Sequence, residues 1–148
     1  MNKYALLLLL PLTLLAFVHP TRPTHPTAFD TYISFKGARQ GQFKAQTKGK
    51  YGRETEGWFK LQSFDQQGGN PFAFTKEVDA ASPKLLQAHT TNETLETVII
   101  ETVGRPSTGS GEVVTERITL TNATISQYKT YTGVENLSLN YGQITKSK

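Results

Sequence analysis

Apolar and polar residues alternate with a period of two through much of this chain, and that pattern sharply limits what it can fold into. Leu137, Leu139 and Tyr141 alternate strictly with Asn136, Ser138 and Asn140, which predicts a strand with one wet face. Ile33 and Phe35 alternate with Ser34 and Lys36 before Gly37 ends the run. Phe59 and Leu61 alternate with Lys60 and Gln62, while Trp58 and Phe64 indicate partial cover on the second face of that strand. Phe72 to Lys76 is a further strand, entered from a polar turn at Asp65–Pro71. Val98, Ile99 and Ile100 stand in succession, as expected of a strand buried on both sides. Arg105–Gly111 is a turn-forming stretch, so Val113–Leu120 should return antiparallel to Leu95–Val103. Ile118 and Leu120 share one parity, whereas Ala123 and Ile125 take the other. The inward face must therefore shift at Thr121 or Asn122, through a bulge or corner.

One segment breaks the period. Ser82 is placed to cap a helix and Pro83 suits its first turn. Leu85, Leu86 and His89 then fall at helical spacing, enough for about two turns lying over a sheet. The expected fold class is mainly β: an antiparallel β-barrel or two-sheet sandwich with one short flanking α-helix.

Residues 1–18 have the shape of a secretory leader, with Lys3 ahead of a 14-residue apolar run, Ala5–Val18, interrupted by Pro11. The run is short against the roughly 17–25 residues of a membrane helix, so no stable membrane span is expected. Residues 19–27 carry proline at every third position and read as an extended spacer. That leaves residues 28–148 as one domain, able to bury about two-thirds of its unfolded surface. With Lys3 and Arg22 set aside, 14 basic residues face 12 acidic ones, so the formal charge falls from +4 to +2. The basic residues are scattered apart from Lys44, Lys48, Lys50 and Arg53, which read as a solvated loop, and no nucleic-acid partner is expected. The absence of cysteine excludes disulfides, thiolate nucleophiles and zinc–thiolate sites.

Candidate chemistry is sparse. His19 and His25 lie in the spacer without further ligands, so no metal is expected. His89 is the only histidine of the domain; Asp79 could orient it and Ser82 could act as nucleophile, but no glycine-rich oxyanion loop accompanies them. Glu54 with Glu56, and Glu93 with Glu96, read as solvated carboxylate pairs. The expectation is a non-enzyme with no catalytic residue and no cofactor. Asn92-Glu93-Thr94, Asn122-Ala123-Thr124 and Asn136-Leu137-Ser138 match the glycosylation pattern and are read as turn chemistry.

Four separated segments carry a family likeness. They are T-K-E-V-D-A-A-S-P-K-L-L-Q-A at Thr75–Ala88, T-N-E-T-L-E-T-V-I-I-E at Thr91–Glu101, I-T-L-T-N-A-T-I-S at Ile118–Ser126 and E-N-L-S-L-N-Y-G-Q-I-T at Glu135–Thr145. In order and spacing they resemble the Hcp (haemolysin-coregulated protein) family, the tube proteins of bacterial type VI secretion. Lys36–Lys44 and Gly52–Gly57 are similar to Hcp sequences around the first connection. The resemblance implies a two-sheet β-barrel with a flanking helix, a homo-hexameric ring, stacking into a tube, and partners among type VI components or small effector proteins. Asp65–Pro71 is shorter than the basic loop that resembling members carry before T-K-E-V-D, which bears on stacking. The leader implies a secreted or periplasmic protein. Without a working leader, the resemblance implies cytoplasmic assembly followed by type VI export. An exported module with this fold, acting outside the tube as a monomer or small oligomer, is the alternative.

Overall fold

The computed structural model describes residues 26–106 and 111–148. Eight strands, one α-helix and one 3-10 turn follow in the order β1 (Pro26–Gly37), β2 (Gly41–Gln42), the 3-10 turn (Glu54–Glu56), β3 (Phe59–Phe64), β4 (Phe72–Glu77), α1 (Ser82–Thr90), β5 (Leu95–Pro106), β6 (Val113–Tyr131), β7 (Val134–Asn140) and β8 (Gln143–Ser147). Pairing runs β1-β3-β4-β7-β6-β5 and returns from β5 to β1, closing a six-stranded antiparallel barrel; β2 and β8 are additions on β1 and β6. β1 starts at Pro26, so strand pairing reaches two residues into the stretch read as spacer. The leader of residues 1–18 lies outside the described residues, and so does most of the turn between β5 and β6.

Cross-strand rows build the core. Ile33, Ile100 and Ile118 stand side by side across β1, β5 and β6, and Phe35, Val98 and Leu120 form the next row. All six are buried. Ile99, expected to be covered as well, is only partly buried, because residues of opposite parity on β5 leave the barrel interior. From the other side come Phe59, Leu61, Phe72, Phe74, Leu137 and Leu139, and burying each such side chain stabilises the fold by about 1.5–3 kcal/mol.

The predicted change of inward face sits at Asn122, whose φ of 52° is left-handed. Up to Ala123, β6 pairs with β5 and β8; from Thr124 it pairs with β7. One 19-residue strand thereby serves both sheets. β8 follows Gly142 and was not anticipated, since Gln143–Ser147 has a single apolar residue, Ile144, and relies on β6 for its backbone partners.

The helix differs in two details. The N-cap position, Ala81, has no side-chain cap; in the turn ahead of it Asp79 Oδ1 accepts the Ala81 N–H at 2.9 Å, while Ser82 Oγ accepts the Asp79 N–H at 2.9 Å. This reciprocal pairing resembles a capping box, with Asp79 in the position expected of Ser82. The buried stripe is Ala81, Leu85 and Ala88, and Leu86 is exposed, because burial follows i, i+4 and i+7 from Ala81. Ser82→Ala should cost about 1 kcal/mol, read as a lower urea midpoint with unchanged slope.

Candidate functional site

The residues considered for catalysis do not come together. Ser82 Oγ is committed to the Asp79 N–H, the Asp79 carboxylate to Lys76, and His89 Nδ1 donates to the Ile125 carbonyl at 3.0 Å. The histidine therefore holds α1 onto β6, its ring stacked on Tyr128 at 6.2 Å. Among the described residues, no cluster of three or more His, Asp or Glu side chains is arranged to hold a metal ion. Also among them, no helix is long and apolar enough to cross a membrane.

The T-K-E-V-D segment instead supplies a buried charge network. Lys76 on β4 is fully buried, and its ammonium reaches Glu135 Oε2 on β7 at 3.0 Å, Asp79 Oδ1 at 2.8 Å and the Glu77 carbonyl at 2.8 Å. All three ammonium protons thus have acceptors, as burial of a charge demands. Glu135 is equally buried, and its second oxygen accepts the Tyr128 hydroxyl of β6 at 2.7 Å. Burial, followed by that bond to the carboxylate, pushes the Tyr128 hydroxyl strongly upward from its ordinary value. Burial also raises the Asp79 carboxyl, with Lys76 opposing. One lysine so links β4, β7, β6 and the start of α1. Periodicity could not find it, because Lys76 continues the parity of Phe72 and Phe74 into the barrel, where an apolar residue is expected.

Two glutamates read as solvated are loop anchors. Glu93 is 2% exposed; its Oε1 accepts the Arg39 and Gln40 N–H groups at 2.8 and 2.9 Å, and its Oε2 accepts from the Gln40 side chain at 2.9 Å. Glu54 is 4% exposed and accepts the N–H groups of Tyr51 at 2.8 Å and Gly49 at 3.2 Å. Burial alone would raise both carboxyls, but these donors outweigh it and hold both below the ordinary value. Glycines make room for them: a Cβ on Gly37 would lie 2.5 Å from Glu93 Oε1, and one on Gly49 would lie 2.6 Å from Glu54. Arg53 is not a loop cation in open water either, for its guanidinium lies over the rings of Tyr32 and Trp58 and pairs with Glu112.

The surfaces left for partners are strand margins and grooves. Among the described residues β1 meets β3 only at Tyr32 and Ile33, so residues 28–31 have strand pairing on the β5 side alone. A groove of about 560 Å³ opens at this seam, bordered by Phe29, Thr31, Leu61 and Phe64 and bridged by Lys60 to Asp30 at 2.6 Å. Among the described residues β8 is paired with β6 alone. The Asp65–Pro71 loop is tied down against it, with Lys146 Nζ donating to the Gln66 and Gln67 carbonyls and the Tyr141 hydroxyl donating to the Gly68 carbonyl.

Comparison with known proteins agrees with this architecture. A family model described as "Type VI secretion system effector, Hcp" matches residues 52–147. The secreted protein Hcp3 from Pseudomonas aeruginosa is 26% identical, with a TM-score of 0.66 over 81% of this chain and 97% of that one. A mutant form of the Hcp1 protein from the E. coli EAEC 042 pathovar is 21% identical, with a TM-score of 0.61 over 81% and 97% of the two chains. Another Hcp protein is 20% identical, with a TM-score of 0.63 over 80% and 98%. At those lower identities the last two bear on the fold alone. No curated protein sequence matches this chain.

Proposed function

Because this chain belongs to the Hcp family of type VI secretion proteins, which are structural and non-enzymatic, we propose that it is a ring-forming subunit of the type VI tube. The observation that carries this reading is the family match across the segment holding the Lys76 network, β5, β6 and β7, set in a closed barrel. The ring is a homo-hexamer. Its contacts use the two margins of the β8-β6-β5-β1 sheet, where the free edges of β8 and of residues 28–31 of β1 have no strand partner among the described residues. Such edges invite strand pairing from a second chain, and different patches meeting head to tail close into a ring when the rotation divides the circle. Partners beyond the ring are type VI components or effector proteins held in its lumen. Hcp proteins leave the cell through the type VI machine, and this chain takes that route after cytoplasmic assembly. On this reading residues 1–18 do not work as a leader, and the domain read over residues 28–148 takes Pro26 and Thr27 from the 19–27 spacer as the start of β1.

A second reading, an exported module acting outside the tube as a monomer or small oligomer, is favoured by the apolar run Ala5–Val18 and by the short Asp65–Pro71 loop. Light scattering on the purified full chain separates the two. The ring predicts six times the 16.4 kDa chain mass, maintained on dilution. A monomer at every concentration would reject the ring. N-terminal sequencing of the recovered protein then reports whether the leader is removed.

A further inference from the structure

The Lys44–Tyr51 loop, the end of β4 and the first turn of α1 border a groove of about 700 Å³ outside the barrel core. Its apolar wall includes Ala45, Val78, Ala80 and Pro83. Val78 is 51% exposed and lines this groove.

The charge lining the groove is unevenly committed. Its three carboxylates are all engaged: Glu54 by backbone N–H groups, Glu77 by Lys50 at 3.1 Å, and Asp79 by the buried Lys76. Two of its lysines are engaged as well, Lys50 with Glu77 and Lys60 with Asp30. Lys44 and Lys84 have no carboxylate partner among the described residues; Lys84 only rests over the Phe43 ring at 5.6 Å. The polarity left over is therefore cationic and sits beside an apolar wall. Concave sites of this size that combine an apolar lining with a few convergent charges are the usual form of a small-ligand site.

We infer that this groove binds a small amphipathic carboxylate, with the head group held by Lys44 and Lys84 and an aliphatic or aromatic body lying against Val78 and Pro83. The groove adjoins the β1–β3 seam, sharing Tyr51, Lys60 and Glu77 with it, while Lys44, Val78, Pro83 and Lys84 lie off the β8-β6-β5-β1 sheet.

Titration calorimetry on the full chain tests it, with octanoate, acetate and octanol as probes. Octanoate should bind, and acetate and octanol should each bind at least about tenfold more weakly, because each lacks one half of the recognition. The Lys44→Gln/Lys84→Gln double variant should lose about tenfold in octanoate affinity, from two partly exposed ion pairs. Lys129→Gln, outside the groove, should leave affinity unchanged. Val78→Ser should narrow the gap between octanoate and acetate, which gives a second readout if the double variant folds poorly. Equal affinity for octanoate and acetate, or full affinity in the double variant, would overturn the assignment.

Discussion

Replacing Lys76 with alanine should destabilise the folded chain by about 3–5 kcal/mol, the cost of leaving a buried partner charge uncompensated. Glu135 has no route to water, and it would keep only the Tyr128 hydroxyl. Asp79 suffers less, because its side chain is 25% exposed and can hydrate. Urea unfolding followed by Trp58 fluorescence gives the value directly, and a loss below about 1 kcal/mol would show that the pair is not desolvated in solution. Removing both charges separates attraction from desolvation. Lys76→Met with Glu135→Leu should recover most of the loss, since an apolar pair of similar volume avoids the desolvation that the ion pair must offset. The network is thus expected to specify register between β4 and β7 more than to add net stability, and the double variant should show it by a broader unfolding transition.

Glu93→Ala is the second large expectation, at about 3 kcal/mol, because the Arg39 and Gln40 N–H groups lose a charged acceptor in a site closed to water. The pH dependence carries a sign that identifies it. Glu93 and Glu54 hold protons less readily when folded than at the ordinary value of 4.5, so their contribution is present above that value and is lost as pH falls through the lowered folded value. Asp79 runs the other way. Burial raises it above 3.8, so its contribution is present below 3.8 and is lost as pH rises through the raised folded value. Stability measured from pH 6 down to about pH 2 should fall, and Glu93→Gln should flatten that fall while costing less than alanine. An acid limb unchanged in Glu93→Gln would show that Glu93 is not the clamp its hydrogen bonds describe.

Unlike β2 and β8, the six barrel strands, the helix and the change of inward face near Asn122 could be read from the residues, because each depends on neighbours within a few positions. Side-chain parity in a strand is set by the pleat, and the short apolar stripe with Pro83 at its head marks the helix start. The misplaced cap shows the limit of such reading. Asp79 and Ser82 are both acceptable capping residues three positions apart, and only the direction of the incoming chain selects between them.

The family and the β class were accessible from sequence alone, through motif order and alternation. Closure of the barrel at Tyr32 and Ile33, the β8 edge, and the fates of Lys76, Glu54 and Glu93 were decided only by tertiary structure. The reason is distance along the chain: Lys76 meets Glu135 across 59 positions, and Gln40 meets Glu93 across 53. A charged residue reads as solvated when only its local pattern is seen, and its burial becomes favourable only when remote donors or acceptors complete its shell.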